Sequence, residues 1–404
     1  MNQKKILVVD DMLVNREWAG RILRTARYAV EYANDGHQAL ELLHNHNTYD
    51  LVLLDVEMPG INGFEVCREM RNDDKLQEIP VIFLTSQSKI ENKVFGFRSG
   101  AQDYVTKPFS PKELLVRINT HLQLKQKTDI IKDMNDMLVE KNKNITDSIN
   151  YAQYIQKALL PSSEILNAIT SDYFILNKPK DILSGDFYWI KQCGDSLYFA
   201  VADCTGHGVP GAIMSVLGLA MLNETAKECA FYPPNLILNE LRKKIISSLH
   251  QVGNSLENQD GMDVGLCMLN LDSLSLEYAA AHIPLFVLRQ NKSNGKYELI
   301  KRQPDRMPVG KHPKENVSFS NHSLDLQEDD RVFLFSDGYV SQFGGEQNKT
   351  FKINRFLDLL ISIQHHPLPD QAAILEEELI KWRGTNEQAD DILVFGLKIK
   401  KMNH

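Results

Sequence analysis

Between Pro111 and Pro161 the chain contains neither proline nor glycine. These are the two residues that interrupt helices most strongly. One helix of nearly fifty residues is therefore expected, about 70 Å long at about 1.5 Å per residue. Pro111 suits its first turn. A helix of that length divides the 404 residues into a segment before it and a segment after it, each able to bury its own core. The expected division is residues 1–122, a helical linker over 123–162, and 163–404.

The linker carries a seven-residue repeat. Leu124, Ile131, Leu138, Ile145, Ala152 and Leu159 recur at that period. Met134 and Ile155 fill the second seam position in some heptads, while Lys127, Lys141 and Ser148 spoil it in others. A single helix this polar would be marginal in water. A parallel two-stranded coiled coil, and hence a homodimer, is the expected remedy. The polar seam positions keep it only modestly stable, as suits a helix that must shift.

Before the linker, strand-like runs at Ile6–Val9, Val30–Ala33, Leu51–Leu54, Val81–Leu84 and Asp103–Val105 alternate with helical stretches. That order predicts α/β architecture, a doubly wound five-stranded parallel sheet of flavodoxin-like form. Ligands of such sheets sit at the carboxyl ends of the strands. Asp10, Asp11, Asp55, Thr85, Ser86 and Lys107 stand there. Three carboxylates make a cation site, and a lysine and a hydroxyl can hold the oxygens of a phosphoryl group. The stretches Val8-Val9-Asp10-Asp11, Leu53-Leu54-Asp55-Val56-Glu57-Met58-Pro59-Gly60, Leu84-Thr85-Ser86 and Lys107-Pro108-Phe109 resemble the receiver domain of bacterial response regulators. The resemblance implies that Asp55 accepts a phosphoryl group from a sensor histidine kinase or phosphotransfer protein. It implies Mg²⁺ held by Asp10, Asp11, Asp55 and the Val56 carbonyl, with Thr85 and Lys107 on the phosphoryl oxygens and Tyr104 as the rotating switch.

After the linker, strand-like runs dominate: Phe187–Ile190, Leu197–Ala202, Val264–Leu271, Leu276–Ala281, Leu285–Leu288, Arg331–Phe335 and Ile392–Ile399. Helical patterns lie at 211–230, 234–249, 352–363 and 370–382. They predict an α+β sandwich of two antiparallel sheets flanked by helices. Four acidic clusters adjoin these runs: Ser184-Gly185-Asp186, Asp203-Cys204-Thr205-Gly206-His207-Gly208, Ser336-Asp337-Gly338 and Ala389-Asp390-Asp391. A strand end fixes a carboxylate well, and converging carboxylates need hard cations. That is the plan of a two-metal hydrolase.

These motifs resemble SpoIIE-type serine phosphatases of the protein phosphatase 2C superfamily, and residues 148–161 resemble the segment that precedes their catalytic core. The resemblance implies two Mn²⁺ or Mg²⁺ ions. Asp186 would bridge them, Asp203 and the Cys204 carbonyl would come next, and Asp337 and Asp390 would hold the second. The family pattern favours Asp390, while the residues themselves leave Asp391 open. It also implies a phosphoserine substrate, commonly an anti-sigma-factor antagonist. The Gly206-His207-Gly208 turn opens a helix whose N-terminus favours phosphate, and His207 is read as filling space beneath it. Departures from the pattern are Gln342 where relatives carry an acid, and Ala281 and Ile283 around His282. Asp263 is read as structural rather than as a further metal ligand. His365 and His366, and likewise His44 and His46, lack ligand neighbours and read as surface.

The formal charge of −8 argues against a nucleic-acid partner or an anionic membrane surface. No basic recognition helix follows the receiver-like segment, which disfavours a transcription factor. Five scattered cysteines, Cys67, Cys193, Cys204, Cys229 and Cys267, show no metal spacing and read as reduced thiols of a cytoplasmic protein. No signal peptide and no apolar stretch long enough to span a bilayer is read in the chain. The functional expectation is a phosphatase whose turnover responds to phosphorylation of Asp55. The alternative is a phosphorylation-switched binding module using the same fold without turnover. Loss of a metal carboxylate would mark that class, and all four are present.

Overall fold

The computed structural model describes residues 3–45, 48–86, 99–162, 166–167, 172–228, 232–251 and 260–400. His46 and Cys229 lie outside them. Two compact units divide the chain, Met1–Lys143 and Asn144–His404.

In the first unit β1 (Lys5–Val9), β2 (Ala29–Ala33), β3 (Leu51–Asp55), β4 (Val81–Thr85) and β5 (Asp103–Thr106) form a parallel sheet in the order β2-β1-β3-β4-β5. Both faces of β1, β3 and β4 are buried, which is why these three strands are near-continuous apolar runs, whereas the edge strands β2 and β5 are half-buried. Leu7, Val9, Val52 and Leu54 pack with α2 (Gly36–Asn45) and α3 (Gly63–Asn72). Ile6, Val8, Leu51 and Leu53 pack with α1 (Leu13–Thr25) and with Leu114, Ile118 and Leu122 of α4 (Pro111–Leu159). Each such side chain contributes roughly 1.5–3 kcal/mol. Helix α3 starts at Asn62, whose side chain accepts from the Glu65 N–H while Glu65 caps the Asn62 N–H in return. The long helix runs unbroken over its 49 residues.

In the second unit β6 (Tyr173–Lys178) through β18 (Ile392–Lys398) build two antiparallel sheets and a hairpin. One sheet runs β14 (His322–Asp325), β10 (Ser275–Ala281), β9 (Gly261–Asn270), β8 (Ser196–Cys204), β7 (Phe187–Cys193), with β13 (Val309–Gly310) also paired to β9. The other runs β12 (Tyr297–Arg302), β11 (Leu285–Gln290), β15 (Arg331–Phe335), β18, β6. The period-two alternation of β8 decides the layering. Leu197, Phe199 and Val201 meet Leu393, Phe395 and Leu397 of β18 between the sheets. Tyr198, Ala200 and Ala202 turn outward beneath α5 (Gly208–Glu228) and α6 (Pro234–Ser248). Ile392 and Val394 turn outward beneath α8 (Ile353–Ser362) and α9 (Leu368–Arg383). A short helix α7 (Gly338–Ser341) and the hairpin of β16 (Phe343–Gly344) and β17 (Lys349–Thr350) follow β15.

The fold class is as the sequence predicts, with differences at edges. The strands β6, β12, β14 and the hairpin escape the pattern because the apolar run of β6 is only Tyr173–Leu176, β12 carries charged residues on both faces, and β14 and the hairpin strands are four residues or fewer. Helix α5 begins at Gly208 rather than Gly211. Contrary to the sequence reading, its Gly208–Lys227 stretch is long and apolar enough to cross a membrane by length and composition. Here more than half of that stretch is buried inside the protein, against the sheet. Cys67, Cys193, Cys204 and Cys267 are unpaired thiols.

Candidate functional site

In the first unit Asp10, Asp11 and Asp55 each bring a carboxylate oxygen within 4.8 Å of the others. Asp10 is fully buried and Asp55 nearly so. The Lys107 ammonium donates to Asp10 Oδ2 at 2.6 Å and pairs with Asp55 Oδ2 at 2.8 Å. The second Asp10 oxygen accepts from the Met12 N–H at 2.9 Å and the Asn15 amide at 3.1 Å. Burial raises the Asp55 carboxyl above its ordinary range, and Lys107 partly offsets this. The Val56 carbonyl accepts from the Gly63 N–H at 3.1 Å, leaving a second lone pair. Thr85 ends β4 and Tyr104 lies on β5 next to it, half-buried. Acidic oxygens and one ammonium thus meet at the carboxyl ends of parallel strands, a donor set that fits a hard cation such as Mg²⁺.

In the second unit the four acidic clusters converge, stitched by side chains that bridge loops far apart in sequence. Ser336 Oγ donates to Asp186 Oδ2 at 2.5 Å and accepts from the Leu393 N–H at 3.0 Å. Asp391 accepts from the Lys180 N–H at 2.7 Å and, with its other oxygen, from the Gly185 N–H at 2.6 Å. The approach is close. A Cβ on Gly185 would lie 2.7 Å from the Gly206 carbonyl oxygen, and one on Gly338 1.9 Å from the Asp391 carbonyl oxygen. No other residue fits at these two crossings.

The carboxylates sense one another. Asp186, 3 % exposed, is pushed well up, first by burial and then by Asp203. Asp203 is pushed up to about 7 by burial, then by Asp337, Asp263 and Asp390. Asp337 has an exposed side chain, yet the surrounding protein and the Asp390 carboxylate raise it too. Among the described residues, no three of these acids come within the 4.8 Å that gathers the receiver-like triad. Acidic groups that converge from four strand ends, spread wider than one ion's shell and raised by one another fit two divalent cations better than one.

The neighbours Asp390 and Asp391 differ. Asp391 is buried with both oxygens engaged, whereas Asp390 is exposed and accepts from the Asp391 N–H at 2.8 Å. Cys204 lies at the same crossing, its carbonyl 3.4 Å from a Cβ built on Gly185. His207 does not fill space beneath its turn. It is half-exposed, with Nδ1 2.7 Å from Asp181 Oδ2. Asp263 stands opposite Asp203 across β8 and β9 and shares a 2.8 Å hydrogen bond with His282, whose φ of 56° is left-handed. Ala281 and Ile283, on either side of it, are core residues. His44 pairs with Asp73 at 3.3 Å, and His365 Nδ1 lies 2.9 Å from the Ser362 carbonyl.

Two glutamines have roles that the sequence does not announce. Gln342 is fully buried. Its amide donates to the Phe343 and Glu387 carbonyls, each at 3.0 Å, and its oxygen accepts from the Ala389 N–H at 2.9 Å. It therefore ties the Asp337 turn to the Asp390 turn. Gln156, on the last turns of α4, donates to the Ser184 carbonyl at 2.6 Å and to Ser215 Oγ at 2.7 Å, and accepts from the Ser184 N–H at 3.3 Å. Gln153, one turn earlier, donates to the Ile182 carbonyl at 2.5 Å. Helical spacing alone could have placed both on one face of α4, but not against the loop that carries Asp186.

The comparisons agree with this geometry. The response regulator receiver domain family matches residues 6–119. The Stage II sporulation protein E family matches residues 194–400, just over half of the chain. The chain belongs to the SpoIIE family. Among solved structures, the SiaA-PP2C domain of Pseudomonas aeruginosa is 30% identical, with a TM-score of 0.57, covering 64% of this chain and 99% of that one. Among curated proteins, the transcriptional regulatory protein ResD of Bacillus subtilis (strain 168) is 40% identical over 127 residues, 31% of this chain and 51% of ResD. Response regulator MprA of Mycobacterium sp. (strain KMS) is 43% identical over 119 residues, 30% of this chain and 50% of MprA. The chain spans about half the length of these curated relatives. It joins a receiver domain to a SpoIIE domain; the matched SpoIIE residues carry three of the four acidic clusters, and Ser184-Gly185-Asp186 lies just before them.

Proposed function

We propose that this protein is a response regulator whose receiver domain governs a metal-dependent protein serine/threonine phosphatase. The domains in this reading are a receiver over 1–122, a coiled-coil linker over 123–162 and a phosphatase over 163–404. The observation that carries it is the stitching of three distant acidic turns by Ser336–Asp186 at 2.5 Å and Gly185–Asp391 at 2.6 Å. Asp186, Asp203, Asp337, Asp390 and the Cys204 carbonyl would hold two Mn²⁺ or Mg²⁺ ions. When bound, such ions lower the pKa of a water and offset charge on phosphoryl oxygens. The chain's own contribution is preorganisation. Ser336 fixes the Asp186 rotamer, Asp391 and Gln342 hold the turns in register, and the sandwich beneath keeps the carboxylates together despite their repulsion.

In the receiver, Asp55 is the phosphoacceptor and Asp10, Asp11, Asp55 and Val56 would hold Mg²⁺. Lys107 and Thr85 take the phosphoryl oxygens, and Tyr104 reports the change. The partners are a sensor histidine kinase or phosphotransfer protein, a phosphoserine protein such as an anti-sigma-factor antagonist, and a second copy of this chain along α4, in the cytoplasm. The test is turnover of para-nitrophenyl phosphate and of a phosphoserine peptide with Mn²⁺. Asp186→Asn should lower it by at least about 10³-fold. Undiminished turnover in that variant would overturn the reading.

A further inference from the structure

We propose that the basic cavity beside the Asp337 turn docks acidic residues flanking the phosphoserine, so that the enzyme selects substrates with acids next to the target serine. This rests on the phosphatase reading above and adds a substrate class to it. The cavity, about 740 Å³, is lined by Val340, Lys349, Lys352, Arg355, Phe351 and Trp382 among others, three cations and no acid. The chain as a whole holds 53 acidic and 45 basic residues, so an acid-free basic lining runs against its average. Among the described residues, Lys349, Lys352 and Arg355 take part in no ion pair with a carboxylate. Elsewhere in this unit lysines and arginines are commonly paired, as in Lys311–Glu315 at 2.8 Å and Arg289–Asp330 at 2.6 Å.

The frame is preformed. Arg355 lies 4.1 Å above the Trp382 ring, and Trp382 Nε1 donates to the Gln342 carbonyl at 3.0 Å. The Lys352 N–H donates to the Val340 carbonyl at 2.9 Å, and Lys352 holds a left-handed φ of 71°. Gln342, which anchors this frame, also holds the Ala389 N–H next to Asp390. Val340 lies one helical turn, about 5 Å, past Asp337. An extended peptide advances about 3.3 Å per residue, so acids two to four positions from a serine held at the metal site would reach these cations. The carboxylates of that site repel an acidic peptide, and the three cations offset the repulsion on the side where the chain leaves it.

Two phosphoserine peptides of equal length, one with aspartates and one with glutamines at the flanking positions, separate the outcomes. They are assayed on the full chain with Mn²⁺, alongside para-nitrophenyl phosphate, and binding of their non-hydrolysable phosphonate forms is followed by fluorescence anisotropy. The acidic peptide should bind about tenfold tighter and show a KM lower by the same factor. That advantage should shrink as salt rises from about 50 to about 500 mM. Lys349→Glu/Lys352→Glu should erase it while leaving para-nitrophenyl phosphate turnover unchanged, and Lys349→Arg/Lys352→Arg should retain it. Equal affinity of the wild type for the two peptides would overturn the proposal. A binding preference without any turnover would overturn the phosphatase reading and leave the docking site standing.

Discussion

Asp391 gives one oxygen to the Lys180 N–H and the other to the Gly185 N–H, while its neighbour Asp390 keeps an exposed carboxylate facing Asp337 and Asp203. The two residues should therefore fail differently. Asp391→Ala leaves two N–H groups unpaired and should cost about 2–4 kcal/mol, at about 1–3 kcal/mol for each buried group. Asp390→Ala should leave Tm within about 2 °C of wild type and abolish one Mn²⁺ equivalent in calorimetry. A stable Asp391→Ala with lost metal, and the reverse for Asp390, would exchange the roles. The raised carboxyls also fix a pH dependence. Asp203 moves from 3.8 to about 7 on folding and Asp186 moves in the same direction, so the folded metal-free state binds more protons than the unfolded one between those values. Stability must fall as pH rises through that window and level off above it. Metal-free protein should melt lower at pH 8 than at pH 5, and Mn²⁺ should remove the difference. A Tm that climbs with pH in the absence of metal would contradict the burial of these acids.

At the scale of elements, α4 shows what a sequence can and cannot reveal. Its span was legible because nothing in it breaks a helix, and the central parallel strands β1, β3 and β4 were legible because strands buried on both faces are near-continuous apolar runs. The edge strands β6, β12 and β14 of the sandwich were not, since they are short in apolar run or carry charged residues on both faces, nor were the glutamine clamps, whose partners are set by tertiary packing. Leu124, Ile131, Leu138 and Ile145 remain 53 %, 67 %, 58 % and 58 % exposed. A row of large apolar side chains at heptad spacing in solvent calls for a partner helix. Ile131→Asp/Leu138→Asp should convert a dimer to a monomer in light scattering, with a loss of far-UV helical signal as the unpaired helix frays. Equal mass for wild type and variant would remove the coiled coil from the account.

For the whole molecule, the question is how a phosphoryl group at Asp55 could alter chemistry at Asp186. The two sites belong to separate units, and one helix belongs to both. Its first turns pack Leu114, Ile118 and Leu122 into the receiver core, and its last turns place Gln153 and Gln156 on the loop of Ser184 and Asp186. A rotation or slip of a helix moves all its side chains together, because the backbone ladder is stiff. The carboxamide of Gln156 holds both the N–H and the carbonyl of Ser184, so it would pass such a shift to the neighbouring Asp186 carboxylate. Coupling of this kind requires two discrete arrangements and an element that both sites bias. Beryllofluoride, which mimics the Asp55 phosphoryl group, should change kcat on para-nitrophenyl phosphate by at least about threefold, equivalent to roughly 0.7 kcal/mol. Gln156→Leu, which keeps the bulk and removes both hydrogen bonds, should lose that response even where basal turnover persists. The same response in wild type and variant would place the coupling elsewhere, and identical rates with and without beryllofluoride in the wild type would deny that the receiver governs the enzyme at all.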